Sequence, residues 1–199
     1  MNGIKAILLD IDGLLLKKQR YFSEIYSEQC GVPTESILPF FRSAFGRCQV
    51  GAADLKEELL PYLEAWKWNG TVEAFLEYWF SFCILDDDVM SVVRSLRRDG
   101  LKCYVVSQQE KYRTEYIRKN VIPDDEIDGS FYSFELGMPK SDTRFFDAVL
   151  EALHLPPEAV VFFDDEEENV EVGRSLGITS VLVEGGENFR DVVKQNVRA

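Results

Sequence analysis

The sequence predicts an α/β fold: a doubly wound, mostly parallel sheet covered by helices on both faces, with a block of helices inserted after the first strand. Three observations predict it. Four short apolar runs read as buried parallel strands. Helical spacing alternates with them from residue 86 onward. Residues 15 to 85 carry helical spacing with no convincing strand among them. At 199 residues the chain suits one domain with a sizeable insertion better than two independent ones.

The first run, Ile4 to Leu9, is bounded by Gly3 and Asp10 and suits a strand buried on both faces. Leu101 to Val106 ends at Ser107, Ala159 to Phe163 ends at Asp164, and Ile178 to Val183 is the fourth. Helices are expected over Asp86 to Arg98, stopped by Gly100, over Gln109 to Asn120, stopped before Pro123, and over Asp142 to Leu153, stopped before Pro156 and Pro157. His154 falls at that last helix end. In the insertion, helices are expected over Gln19 to Cys30, Glu35 to Phe45, Ala52 to Trp66 and Thr71 to Phe82, with Pro61 a potential kink and Gly31, Gly46, Gly51 and Gly70 as breaks. All three tryptophans lie there, together with Phe40, Phe41, Phe45, Phe75, Tyr78, Phe80 and Phe82, as expected for a helix-bundle core.

Composition narrows the chemistry. With 46% apolar and 29% charged residues the chain is that of a globular protein. Lys and Arg number 22 against 35 Asp and Glu, a net charge of −13 that opposes attraction to nucleic acid or an anionic membrane. A single histidine excludes a His-His zinc cage and leaves carboxylates and lysine as the chemical groups. Cys30, Cys48, Cys83 and Cys103 form no C-x-x-C pair and read as reduced core thiols. The opening apolar run is too short for a signal segment, so a cytoplasmic location is expected. The sequence is silent on oligomeric state.

In open α/β sheets ligands bind beyond the carboxyl ends of the strands. Polar groups collect there: Asp10 and Asp12 after the first strand, Ser107 after the second, Asp164 and Asp165 after the third. Gathered carboxylates repel and call for a hard cation such as Mg²⁺. Lys140, ahead of the helix at Asp142, adds a positive charge, and the combination suits a phosphate dianion. Taken singly, each acid could be a turn residue; it is their convergence that carries the argument. Asp124, Glu126, Asp128, Gly129 and Glu135 match calcium-loop spacing, but Gly137 and Pro139 interrupt the helix that must follow, so this is an acidic turn.

The motifs Asp10-Ile11-Asp12-Gly13, Ser107, Lys140 and Phe162-Phe163-Asp164-Asp165, with Asn169 and Gly177 downstream, resemble those of the haloacid dehalogenase superfamily. The resemblance implies a Rossmann-like core over 1–14 and 86–199 and a helical cap over 15–85. It implies that Asp10 is a nucleophile forming an aspartyl-phosphate and that Asp12 is the acid and base. It further implies that Ser107 and Lys140 bind the phosphoryl group. Mg²⁺ would be held by Asp10, the Asp12 carbonyl and Asp165, with Asp164 in support. Dehalogenating members lack an acid at the Asp12 position, so phosphate chemistry is favoured. The segment around Ser133 to Lys140 is most similar to sugar-phosphate phosphatases such as α-D-glucose-1-phosphate phosphatases. The expected substrate is therefore a small phosphorylated metabolite, a sugar phosphate first and a nucleoside monophosphate second. A phosphomutase or a noncatalytic phospho-ligand or protein-binding protein is the alternative. Leu14, Gln108 and Ser141 depart from the residues usual at their positions without removing a charged group.

Overall fold

A computed structural model describes residues 3–184 and 188–197. The ends of the expected 1–14 and 86–199 segments at residues 1–2 and 198–199, and residues 185–187, lie outside the described residues, as does the side chain of Asp124 in the acidic turn.

Five parallel strands form one sheet: β1 (Ala6–Leu9), β2 (Lys102–Ser107), β3 (Gly129–Tyr132), β4 (Val160–Asp164) and β5 (Thr179–Leu182), in the order β3-β2-β1-β4-β5. The chain winds outward from β1 to β3, returns across the sheet to β4, and continues to β5. The order reverses beside β1, where a doubly wound sheet opens a crevice. Leu9 pairs with both Val105 and Phe163, so Asp10 and Asp164 emerge side by side at that point.

Side chains alternate across the sheet. Ile7, Leu9, Cys103, Val105, Val161 and Phe163 share one core with helices α6 (Asp87–Arg98), α7 (Lys111–Asn120) and α11 (Phe189–Val197). Ala6, Leu8, Val106, Val160 and Phe162 share the other with α9 (Thr143–Leu153), and α10 (Glu167–Ser175) leans against it through Val172. Asp86 caps α6 by accepting from Asp88 and Val89 N–H, and Asp142 caps α9 through Arg144 N–H. His154 ends α9 in the left-handed conformation, the helix-end role its position suggested.

Between β1 and α6 lie α1 (Phe22–Cys30), α2 (Thr34–Arg42), α3 (Ala44–Gln49), α4 (Leu55–Leu63) and α5 (Val72–Phe80). They enclose a separate apolar cluster centred on Trp66, Tyr26, Phe40 and Phe75, all fully buried. Leu14, Leu15 and Leu16 instead pack with the sheet. The two connecting segments run together, with Lys17 N–H donating to Ile84 and Asp86 N–H to Leu15.

Several elements differ from expectation. The helix expected over 35–45 is two, broken at Ser43, whose hydroxyl donates to the Pro39 carbonyl at 2.6 Å. Gly46, expected as a break, lies inside α3. Strand β3 was not foreseen because its four residues, Gly-Ser-Phe-Tyr, form a half-buried edge with no apolar run. It begins in the acidic turn, where Asp128 pairs with Arg97 and Lys102. All four cysteines are free thiols, but Cys30 is exposed rather than in the core. No helix among the described residues is long and apolar enough to cross a membrane.

Trp66 is fully buried against Phe40, Tyr62 and Phe75 and donates its indole N–H to the Ser36 carbonyl at 3.0 Å. Trp66→Ala is expected to cost about 3–5 kcal/mol. Urea denaturation checks this, and a loss below about 1 kcal/mol would mean that the aromatic cluster does not hold these helices.

Candidate active site

The centre of the site is a buried ion triad. Asp10 follows β1, Asp164 ends β4, and Lys140 reaches between them from the loop before α9. Its Nζ lies 2.6 Å from Asp10 Oδ1 and 2.6 Å from Asp164 Oδ2. Exposure is 4% for Asp10, 3% for Lys140 and nil for Asp164. Asp164 is further fixed by Glu166 N–H at 2.8 Å and by Asn169 Nδ2 at 3.3 Å to each carboxylate oxygen. Asp10 accepts from Lys140 alone among the described residues, which leaves Oδ2 free. Burial raises the Asp10 pKa to about 7; Lys140 pulls it down, while Asp164 and Asp12 push it up. Burial disfavours the Lys140 ammonium, but the two carboxylates outweigh it and raise its pKa.

Asp165 adds a third carboxylate, with oxygens of Asp10, Asp164 and Asp165 all within 4.8 Å of one another. Lys18, a residue of the connection into α1, donates to Asp165 Oδ2 at 2.8 Å. Gly13 has φ +76°, and a Cβ there would sit 2.2 Å from Asp165 Oδ2, so only glycine lets the loop after Asp12 pass this acid.

Asp12 turns away from the triad and is half exposed. Arg113 of α7 grips it with two bonds, Nη2 to Oδ1 at 2.6 Å and Nη1 to Oδ2 at 2.7 Å, and Gln109 Nε2 donates to Oδ2 at 2.5 Å. Burial opposes its ionisation, but Arg113 and Gln109 prevail and lower the pKa. Ser107 ends β2 and is buried, its Oγ accepting from Gln109 Nε2 at 3.4 Å. No direct bond joins it to Asp10 or Lys140 among the described residues. Gln108 receives the Lys140 backbone N–H at 3.3 Å and exchanges bonds with Gln49 at the end of α3.

The structure therefore gathers Asp10, Lys140, Asp164 and Asp165 into one cluster, sets Asp12 beside it, and keeps Ser107 at its edge. Sequence reasoning missed Arg113 and Gln109. The only signal was their place just after β2, Gln109 in the connecting loop and Arg113 on the first turn of α7, where a side chain can return to the strand ends.

The three acids fit a hard cation. Asp10, Asp12, Asp164 and Asp165 outnumber the cations that reach them, Lys18, Lys140 and Arg113. A further positive charge is what an incoming anion would require.

Glu110 caps α7, accepting from Tyr112 N–H at 2.8 Å and from Arg113 N–H, and so sets the turn that carries Arg113. Burial raises its pKa to about 7, against the lowering effect of those two backbone bonds. Below the unfolded value both states hold the proton; between that value and about 7 only the native state does, so this group's stabilisation is lost as pH rises. Glu110→Gln removes that slope and keeps one cap acceptor. Its stability relative to wild type is expected to improve by on the order of 2 kcal/mol from pH 4.5 to pH 8. Denaturation at the two pH values checks it, and a pH-independent difference would contradict it.

The model of haloacid dehalogenase-like hydrolases matches residues 4–177. Over 191 residues the chain is 22% identical to the GMP/IMP nucleotidase YrfG of Escherichia coli, covering 91% of this chain and 83% of that protein. Over 101 residues it is 35% identical to drimenol cyclase drtB of Aspergillus calidoustus, covering 49% of this chain but only 19% of that protein. A HAD family enzyme of Bacteroides thetaiotaomicron, solved as a magnesium complex, superposes with a TM-score of 0.84 at 23% identity, over 96% of this chain and 99% of the other. With the family model spanning both the sheet and the inserted helices, this chain belongs to the haloacid dehalogenase-like hydrolases.

Proposed function

We propose that the protein is a phosphatase that hydrolyses monoesters of small phosphorylated metabolites through an aspartyl-phosphate on Asp10. The observation that carries this reading is the buried Asp10–Lys140–Asp164 triad, with a second acid, Asp12, two residues beyond the nucleophile. The nucleotidase relative supports phosphate esters as the class.

Asp10 Oδ2 attacks phosphorus, and the bond from phosphorus to the ester oxygen breaks. Asp12 in its acid form gives that oxygen a proton. In the second half Asp12 takes a proton from water, the water oxygen bonds to phosphorus, and the bond to Asp10 breaks. Lys140 holds Asp10 in place and offsets the charge that gathers on the phosphoryl oxygens, while Ser107 donates to them. Asp10, the Asp12 carbonyl and Asp165 would hold Mg²⁺, with Asp164 in support. The ion would supply charge neutralisation for the dianion among these acids.

Arg113 binds both oxygens of Asp12, so the substrate has to displace at least one of those bonds before Asp12 can protonate a leaving group. Residues 15–85 serve as a cap that excludes water from the intermediate, and the paired connecting segments are its hinge.

Phosphate release from an aryl phosphate with Mg²⁺ is expected to vanish with chelator, and in Asp10→Asn to fall by three orders of magnitude or more. Arg113→Met is expected to lower kcat about tenfold or more with a smaller change in KM, because it disturbs the proton donor rather than the phosphoryl site. Steady-state kinetics on folded variants checks both. Full activity in Asp10→Asn would reject the covalent route.

A further inference from the structure

The sheet ends and the inserted helices enclose a cavity of about 830 Å³, lined on one side by Asp12 and Asp165. This lies within the usual range of small-molecule sites, toward its upper end. Another part of the same wall is aromatic, formed by Phe22, Phe41, Phe45, Trp79 and Phe82. Phe22 stacks on Trp79 with ring centroids 5.1 Å apart, and Phe41 and Phe45 meet it at 5.3 and 5.4 Å. Trp66, Phe40 and Phe75 in the bundle interior are fully buried, whereas Phe22, Phe41, Phe45 and Phe82 are only half-buried. Apolar surface left open inside a cavity gains most from an apolar guest.

Several of the polar side chains lining the cavity are already engaged; Lys17, Gln19, Tyr21 and Ser23 are not among them. Arg113 and Gln109 hold Asp12, Lys18 holds Asp165, Gln49 and Gln108 bond each other, and Arg20 pairs with Glu28. A sugar or a nucleobase brings hydroxyls or ring-edge donors and acceptors that would lose water against aromatic rings without gaining partners. A hydrocarbon chain loses nothing there.

Resting on the phosphatase reading, we propose that the preferred substrate is the monophosphate ester of a hydrophobic alcohol. Its phosphoryl group sits at Asp10 and its hydrocarbon lies against the wall around Trp79. It differs from the sugar phosphate expected from the sequence.

The test is a homologous series on the full chain with Mg²⁺. n-Alkylphosphonates from ethyl to octyl, which cannot be hydrolysed, are titrated by calorimetry, and kcat/KM is measured for the matching alkyl phosphates beside glucose phosphates, GMP and IMP. Affinity and kcat/KM are expected to rise about fourfold per methylene. Phe45→Asn and, separately, Phe82→Asn are expected to flatten that dependence. A dependence on chain length in phosphonate binding with no phosphate released from any ester sustains the hydrophobic site and overturns the phosphatase reading. Release from all esters at rates independent of chain length, or faster from glucose phosphates, GMP or IMP than from octyl phosphate, overturns the hydrophobic site and leaves the phosphatase reading standing.

Discussion

One buried ammonium sets the terms for the rest of the site. The topology forces Asp10 and Asp164 out of neighbouring strands at the same level, and two carboxylates so close in a water-poor crevice cannot both stay ionised without a counter-charge. Lys140 provides it at 2.6 Å from each. The arrangement is costly to desolvate, and the ammonium offsets that cost by bonding both carboxylates. Removing one member of such a group leaves an uncompensated buried charge, typically at about 3–5 kcal/mol. Lysine suits the place because a compact ammonium fits between two carboxylates where a planar guanidinium would push them apart. The loop that delivers it is itself held, through the Lys140 N–H and Gln108.

Gln108 also ties the site to the inserted helices. Gln49 at the end of α3 bonds it, Ser133 donates to the Gln49 carbonyl at 2.5 Å, and Tyr112 donates to Asp54 at 2.6 Å. Gly51, with φ +70°, passes so near the Phe134 carbonyl that a Cβ would come within 2.5 Å of it. Alongside these polar contacts, Tyr112 and Tyr116 of α7 pack against the aromatic cluster of the inserted helices, with the Phe80 and Tyr116 rings 5.7 Å apart. Polar bonds exchange for water at a small net cost, while the aromatic cluster does not.

What the sequence made legible was what is encoded locally. β1, β2 and β4 are apolar runs closed by a polar residue, and Asp10, Asp164 and Asp165 were found because strand ends in a parallel sheet share one edge. Lys140 was legible through its motif. Arg113 was not: it sits in a polar helical stretch, Lys-Tyr-Arg-Thr-Glu, that reads as solvent-facing, and its partner is 101 residues away. β3 was hidden because an edge strand of four residues starting with Gly-Ser carries neither alternation nor an apolar run. The break at Ser43 was misplaced to Gly46, since glycine is tolerated within a helix while the lost N–H of Pro39 and the Ser43 hydroxyl act one turn apart. Cys30 was assigned to the core by composition alone, and its exposed place at the end of α1 depends on which face of the helix turns inward.

The pairing of Asp12 with Arg113 looks at first like an obstacle to catalysis, because an acid held ionised by a bidentate arginine cannot protonate a leaving group. The same geometry offers a resolution. A guanidinium fork fits a phosphoryl dianion as well as it fits a carboxylate, so a substrate entering beside Asp10 competes with Asp12 for Arg113. On the proposed reading, that competition would free the carboxylate as a dense negative charge arrives next to it, and both changes would raise its affinity for a proton. On a chain of net charge −13, a cleft edged by Lys18, Arg113 and Lys140 also gives an anion a local reason to enter that the surface as a whole does not. On that reading, binding and arming of the acid would be two results of one exchange of partners, which would account for an arginine at a position that the phosphoryl chemistry alone does not demand.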